Sequence, residues 1–174
     1  MSRTALAAMS VTATVLMAGC GNAVGDIGPP AGLAGISVTS RGDYVIELFV
    51  CRDKVDTINI SRDRQGLKET EKNPVVRDYK STRPRTGLIS HNLAQPGEGW
   101  TPRTPTAFES GKGYIVTGEA SAGYDNETTQ LNIQTSTLVS LVPGSVYVTE
   151  DNSGSKFTRY SPAQFAANAK KACG

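Results

Sequence analysis

The sequence feature that most constrains the fold is the stretch DYVIELFVC at 43–51, in which apolar side chains recur at every second position. Successive side chains of a β-strand point to opposite faces, so this stretch predicts a strand with two distinct faces. One face is wholly apolar and is assigned to the core: Tyr44, Ile46, Leu48 and Val50. The other face is half apolar and needs partial cover: Val45, Glu47, Phe49 and Cys51. The chain therefore needs a sheet with a buried side and an element packed on its other side.

Further short strands follow from the same alternation and from enrichment in β-branched residues. They are expected at 36–39, 55–61, 114–119, 129–137, 138–142 and 145–149. Pro143 and Gly144 predict a turn, and Gly154 indicates a loop after the strand that follows. Short strands with frequent turns predict a mainly β fold, an antiparallel Ig-like β-sandwich with one C-terminal helix. The alternative is an α+β fold in which that helix packs on an antiparallel sheet.

The C-terminal helix has a clear start signal. Ser161 stands at the N-cap, Pro162 at the first helical position and Gln164 three residues after the cap, which is the pattern of a capping box. Phe165 and Ala169 then fall on one helical face. We expect this amphipathic helix to cover the half-apolar face of the first strand.

The N-terminal residues have the pattern of an export signal. Arg3 is followed by a charge-free, mostly apolar run at 4–17, which is shorter than the roughly 20 apolar residues that a membrane-spanning helix needs. The sequence therefore predicts a signal peptide at 1–19, a Gly- and Pro-rich flexible tether at 20–34, and a single mainly β domain at 35–174.

The signal ends in Leu16-Met17-Ala18-Gly19-Cys20, which resembles the lipobox of bacterial lipoproteins. The chain is similar in style to the small uncharacterised lipoproteins of high-GC Gram-positive bacteria. The resemblance implies a fatty-acylated (palmitate-type) Cys20 as the first mature residue, and anchoring on the extracytoplasmic face of the cell membrane. The alternative is an ordinary secreted protein in which Cys20 forms a disulfide.

The three cysteines are consistent with that implication. With Cys20 lipidated, Cys51 and Cys173 remain, and in an oxidising compartment they are expected to form one disulfide. The alternative is a pair of separate buried thiols.

Charge is segregated along the chain. The whole chain has 18 basic and 16 acidic residues, and loss of Arg3 leaves 17 and 16, a net charge of +1 that gives no indication of nucleic-acid binding. Residues 62–112 alone carry ten basic and six acidic residues and five of the nine prolines, and we expect mostly irregular structure there, with short strands at 75–79 and 87–89 as an option. The candidate binding patch in this segment consists of Arg77, Lys80, Arg83, Arg85 and Trp100. A solvated loop, with Trp100 pinning its own loop, is the alternative interpretation.

No catalytic constellation is recognisable in the sequence. His91 is the only histidine, and a lone histidine is usually a surface or hydrogen-bonded residue. There is no Gly-x-Ser-x-Gly elbow and no zinc or calcium spacing, so no cofactor or metal is predicted. Glu47 and Glu119 are the carboxylate pair that a hydrolase would use if the sheet brought them together.

These observations predict a non-enzymatic binding or interaction module at the cell envelope. Its expected partners are the membrane, through the lipid on Cys20, and an envelope protein or an anionic envelope polymer. One alternative is an envelope hydrolase that uses carboxylates or His91. Another is a phage-type superinfection-exclusion lipoprotein.

Overall fold

The computed structural model of the chain describes residues 29–120 and 127–173. The predicted signal peptide at 1–19 and the predicted acylation site, Cys20, lie outside these residues. The described elements follow one another along the chain as β1 (Gly32–Val38), β2 (Tyr44–Arg62), β3 (Val75–Asn92), β4 (Trp100–Thr101), β5 (Gly113–Glu119), β6 (Leu131–Gln134), a 3-10 turn (Leu138–Ser140), β7 (Val146–Thr149), β8 (Phe157–Tyr160) and α1 (Pro162–Ala172).

The longest strand, β2, organises the whole sheet. On one side of β2, β1 pairs with its first part and β5 pairs with its last part. On the other side, β3 pairs with β2 for almost its full length. The result is one eight-stranded sheet in which β7 and β8 extend from β1, β6 extends from β5 and β4 extends from β3. All strand pairs are antiparallel. The predicted mainly β, antiparallel class with one C-terminal helix is confirmed.

A bend divides β2 into its two parts. Asp53 has a positive φ of 54°, a left-handed conformation that Asp tolerates better than most residues. The ladder to β3 is irregular there, with successive pairs Val50/Gly87, Val55/Arg85 and Thr57/Lys80. Because β2 has extra residues at 51–54 and β3 has extra residues at 81–84, both strands bulge next to the bend.

The predicted core face lies where the alternation put it. Ile46, Leu48 and Val50 are at most 1% exposed, and Tyr44 packs at the margin of the cluster. Beyond the bend, Val55, Ile58 and Ile60 are fully buried. Both parts of β2 therefore contribute to one hydrophobic core.

The C-terminal helix begins as predicted. The Ser161 hydroxyl accepts a hydrogen bond from the Gln164 backbone N–H, and the Gln164 side chain accepts one from the Ser161 N–H. Phe165 and Ala169 are buried against the sheet. Gly35 makes this packing possible, because a Cβ there would lie 2.8 Å from Val146 Cγ1 and 3.2 Å from Phe165 Cε2.

The helix covers part of the outer face of β2 and is tied to it. Lys170 Nζ lies 6.0 Å from the centre of the Phe49 ring, so the helix reaches the face that needed cover. Cys51 and Cys173 form a disulfide with their Cα atoms 6.3 Å apart, the pairing that the cysteine count predicted. Arg52 Nε donates a hydrogen bond of 2.7 Å to the carbonyl oxygen of Cys173, which places a cation at the helix C-terminus, where the dipole favours it.

Three sequence predictions about element positions are wrong. The folded domain starts before 35, because Ala31 and Ala34 are buried and β1 begins at Gly32. The predicted strand at 138–142 is a 3-10 turn, since the Thr137 hydroxyl donates to the Gln134 carbonyl and the neighbouring side chains stabilise a turn instead of a ladder. The strand predicted at 129–137 is only the four residues of β6, and β8 was not predicted.

Residues 75–92 form the largest departure from the sequence prediction. They belong to a single 18-residue strand, β3, where mostly irregular structure was expected. The two short strands suggested at 75–79 and 87–89 both lie within β3, on either side of its bulge. The bulge at 81–84 and Gly87, with a φ of 75°, interrupt the alternation that identifies a strand in sequence.

Candidate binding site

The predicted patch residues lie on β3 and β4. Strand β4 pairs with the middle of β3, with Trp100 opposite Ser81 and Thr101 opposite Lys80. The patch is therefore carried by sheet and not by a solvated loop. The structure nevertheless places its members in different surroundings.

Trp100 is buried, with 2% of its surface exposed. The guanidinium carbon of Arg85 lies 5.3 Å from the centre of the Trp100 ring, and Arg85 Nε donates a hydrogen bond of 3.2 Å to the Ser81 hydroxyl. Gly99 leaves room for this arginine, because a Cβ at that position would lie 3.0 Å from Arg85 Nη2. Arg85 thus covers the indole, an arrangement that is favourable for a cation over an aromatic face.

His91 lies beneath the same pair of residues. It is 1% exposed, and its ring centre is 5.0 Å from that of Trp100 and 4.2 Å from that of Tyr79. Neither ring nitrogen has a hydrogen-bond partner within the described part of the chain. The expectation of a surface or hydrogen-bonded histidine is therefore wrong.

The surroundings of His91 keep its imidazole neutral. Burial and, to a smaller extent, the positive charge of Arg85 together lower the His91 pKa from its usual 6.5 to about 4. At neutral pH the ring is an uncharged member of an aromatic group.

Tyr79 connects this group to a neighbouring loop. Its hydroxyl lies 2.7 Å from Thr106 Oγ1 and 3.0 Å from the Thr104 carbonyl oxygen. Arg77 Nε donates to the same Thr106 hydroxyl at 3.3 Å. Arg77 is thus linked to the group through Tyr79 and Thr106. We refer to Tyr79, Arg85, His91 and Trp100 as the Arg85 cluster.

The remaining two patch residues do not join the cluster. Lys80 is exposed and follows the buried Tyr79 directly, so its side chain points to the opposite face of β3. Arg83 is exposed on the bulge at 81–84. The five candidate residues therefore have different surroundings: Arg85 and Trp100 are together, Arg77 is linked to them through Thr106 and Tyr79, and Lys80 and Arg83 flank them.

The cations of this region have no acidic partner in the part of the chain that the structure describes. The ion pairs found there are Arg41 with Asp43, Arg62 with Glu109, and Lys156 with Glu150. Residues 75–103 carry five basic and two acidic residues, a net charge of +3. Of the two acids, Asp78 accepts a hydrogen bond of 2.7 Å from Asn59 Nδ2. This segment of the chain therefore carries an excess of positive charge.

The two glutamates considered as a hydrolytic pair have separate environments. Glu47 accepts hydrogen bonds from the hydroxyls of Ser37 and Ser90, and burial raises its pKa although both bonds oppose that rise. Glu119 lies beyond the bend of β2 and accepts a hydrogen bond of 2.7 Å from Thr117. The fold does not bring the two carboxylates to one hydrogen-bonded site.

Neither a metal site nor a membrane-spanning helix is present in residues 29–120 and 127–173. In these ranges no group of three His, Cys, Asp or Glu side chains is arranged to hold a metal ion. The helices in these ranges are too short or too polar to cross a bilayer.

Sequence reasoning missed the residues that support the cluster. Thr106, Ser81 and Gly99 position Tyr79 and Arg85, and no motif marks them. The available signal was the spacing of Arg77, Tyr79 and Ser81, which is that of one strand face.

Comparison with known proteins gives no relative: no family model, no curated protein and no solved structure matches this chain. The function must therefore be inferred from the residues themselves.

Proposed function

We propose that this protein is a lipid-anchored binding module of the cell envelope, whose ligand is an anionic envelope polymer. The binding surface is the β3–β4 face around Arg85. The observation that carries this proposal is the Arg85 guanidinium, held 5.3 Å above the buried Trp100 ring with no acidic partner in the described residues.

The chemistry of arginine supports an anionic ligand. A guanidinium presents several N–H donors in one plane, and it matches phosphate and carboxylate groups in a bidentate manner. Arg85 is already oriented by Trp100 and Ser81, so little side-chain entropy is lost when a ligand binds. Arg83 on the adjacent bulge and Arg77 beyond Tyr79 add positive charge that attracts a polyanion.

The proposed location depends on the N-terminal residues and on the disulfide. The lipobox-like LMAGC sequence supports acylation of Cys20. The Cys51–Cys173 disulfide is typical of an oxidising compartment outside the cytoplasm. Mass spectrometry of the protein purified from its own membranes tests this part: we expect a mature chain that starts at an acylated Cys20. An intact leader or an unmodified Cys20 would contradict it.

The ligand proposal is tested by charge reversal with a matched control. Arg83→Glu combined with Arg85→Glu should weaken binding to a soluble polyphosphate chain at least tenfold, measured by calorimetry at low salt. The control is Lys68→Glu combined with Lys72→Glu, two exposed lysines before β3, which changes the net charge by the same amount. We expect the control to lose far less affinity, because its lysines lie outside the proposed surface.

Three outcomes would overturn the ligand proposal. Equal losses in both double variants would mean that net charge alone attracts the polyanion. Unchanged binding after reversal of Arg83 and Arg85 would mean that the polyanion binds elsewhere. If the wild-type protein does not bind polyphosphate but crosslinks to an acidic envelope protein, the partner class changes and the polymer proposal fails.

A further inference from the structure

The N-terminal segment enters the folded domain at the bend of β2. The carbonyl oxygen of Ala31 accepts hydrogen bonds from the backbone N–H groups of Cys51, at 2.9 Å, and Arg52, at 3.0 Å. Gly32, the first residue of β1, pairs with Val50 just before the bend. Any anchor at the N-terminus therefore holds the domain by this point.

The end of α1 lies at the same place. Cys173 is bonded to Cys51, and its carbonyl oxygen accepts hydrogen bonds from the Arg52 guanidinium. Lys170 and Lys171 occupy the last turn of the helix and are exposed. The disulfide thus fixes these two lysines beside the bend.

Positive charge is concentrated where the chain enters. The exposed cations of the bend and of the last helical turn are Arg52, Lys54, Lys170 and Lys171, which we call the entry face. Asp53 is the exposed acid between the first two of these, so the group has a net charge of +3. An anionic surface attracts such a group within a Debye length, roughly 10 Å at 0.1 M salt.

An apolar contact accompanies these charges. Leu88 is 57% exposed and lies opposite Phe49 in the ladder between β2 and β3. Lys170 extends over the Phe49 ring. Phospholipid head groups meet the acyl chains at an interface that accepts both cationic and apolar side chains.

The number of residues between Cys20 and the domain limits how far the entry face can lie from the bilayer. Cys20 and Ala31 are eleven positions apart, with ten residues between them. A chain of that length spans at most roughly 40 Å even when it is fully extended. The turn at the other end of β1, which contains Arg41, lies about 20 Å further away along the strand. The entry face therefore lies closer to the point where the chain enters the domain than that turn does.

We propose that the entry face docks on the anionic head groups of the anchoring membrane and orients the domain there. This inference rests on the proposed acylation of Cys20. It assigns to Arg52, Lys54, Lys170 and Lys171 a partner different from that of the Arg85 cluster: a phospholipid surface and not a polymer chain.

The test uses the native protein incorporated into vesicles. One set contains phosphatidylcholine alone, and the other contains about a third phosphatidylglycerol. A membrane-impermeant acetylating reagent is added, and the rate of modification of each lysine is measured by mass spectrometry. We expect Lys54, Lys170 and Lys171 to react at least threefold more slowly on anionic than on neutral vesicles. Lys68, Lys112 and Lys156, also exposed, serve as internal controls whose rates should not change.

A matched pair of variants sharpens the result. Lys170→Glu with Lys171→Glu should abolish the protection of Lys54 on anionic vesicles. Lys112→Glu with Lys156→Glu, which changes the net charge equally, should leave that protection intact. Equal rates for Lys54 on both vesicle types in the wild-type protein, or protection that survives loss of both helix lysines, would overturn the docking proposal.

The same experiment separates this inference from the anchoring on which it rests. A protein without an acyl anchor will not sediment with neutral vesicles, whereas an anchored protein that does not dock will sediment but show equal lysine rates. The first result contradicts the proposed function, and the second contradicts only the entry face.

Discussion

Two arginines cover aromatic rings in this molecule, and their surroundings differ. Arg62 lies 4.7 Å from the Tyr114 ring centre, donates a hydrogen bond of 2.8 Å to the Tyr114 hydroxyl and forms an ion pair with Glu109. Arg85 lies 5.3 Å from the Trp100 ring centre and donates to the Ser81 hydroxyl. Arg62 is thus neutralised by a neighbour in the fold, whereas Arg85 forms no ion pair within the described residues.

The difference separates a structural arrangement from one that is available to a ligand. Glu109 also donates its backbone N–H to the Tyr114 hydroxyl at 2.7 Å, so the Arg62 group is internally satisfied. The Arg62 group borders a cleft of about 570 Å³. Two of the charged residues that line this cleft, Arg62 and Glu109, form an ion pair with each other. The Arg85 cluster keeps an unpaired cation and a histidine without hydrogen bonds in the described structure. This contrast favours Arg85 over Arg62 as the centre of recognition.

The largest expected effect is a loss of stability, and it tests the property that the two groups share: a buried aromatic ring covered by an arginine. Trp100→Ala and Tyr114→Ala should each lower the free energy of unfolding by about 3–5 kcal/mol, since both rings are at most 2% exposed and their loss leaves a cavity. Urea unfolding measures this change. Val139→Ala is the control, because Val139 is 86% exposed and its truncation should change stability by less than about 0.5 kcal/mol. A loss below about 1 kcal/mol for Trp100→Ala would mean that the Arg85 cluster is not part of the core.

The next largest effect is a pH-dependent loss of stability, which arises from His91 in the Arg85 cluster. The folded-state pKa of His91 is about 4, below its usual 6.5. The unfolded chain therefore binds a proton at His91 between these two values while the folded chain does not, and stability is lost as the pH falls through this window. At 1.36 kcal/mol per pKa unit the loss amounts to about 3 kcal/mol between pH 6.5 and pH 4.

A variant isolates this contribution from that of the carboxylates. Burial raises the Glu47 pKa, which acts in the opposite direction, so the wild-type protein is compared with His91→Phe. The stability difference between the two proteins should shift by about 3 kcal/mol in favour of the variant from pH 7 to pH 4, measured by urea unfolding. Parallel pH profiles would contradict the neutral buried state of His91.

The smallest effect distinguishes the arginines directly. Arg62→Gln should cost about 1 kcal/mol of stability, because it removes a cation from an aromatic face together with an ion pair to the largely exposed Glu109. Arg85→Gln should cost less. It should also raise the His91 pKa towards its usual value, as read from the imidazole resonances in an NMR titration, because Arg85 opposes the charged form. An unchanged His91 pKa would remove the electrostatic link between these two residues.

The parts of the fold that were predicted are those set by local chemistry. Alternation identified the core face of β2, the Ser161/Gln164 capping box identified the start of α1, and the cysteine count identified the disulfide. Each of these signals is contained in neighbouring residues or in a count. None requires knowledge of which strand lies next to which.

The parts that were missed depend on long-range pairing. β3 escaped prediction because its bulge and Gly87 break the alternation, and its strand character comes from the ladder to β2. The candidate site was half predicted for the same reason: Arg85 and Trp100 were identified, but the pairing of β4 with β3 sets them over His91. The opposite orientation of Lys80 also follows from that strand and not from any motif.

The continuity of β2 has a consequence for how the molecule comes apart. The ladder between β2 and β3 extends from Val45 to Ser61, across the bend, and the sheet portions on both sides of the bend share these two strands. Neither portion can unfold without breaking hydrogen bonds of the other. We therefore expect unfolding in one all-or-none transition, without a partly folded intermediate that a protease could cleave.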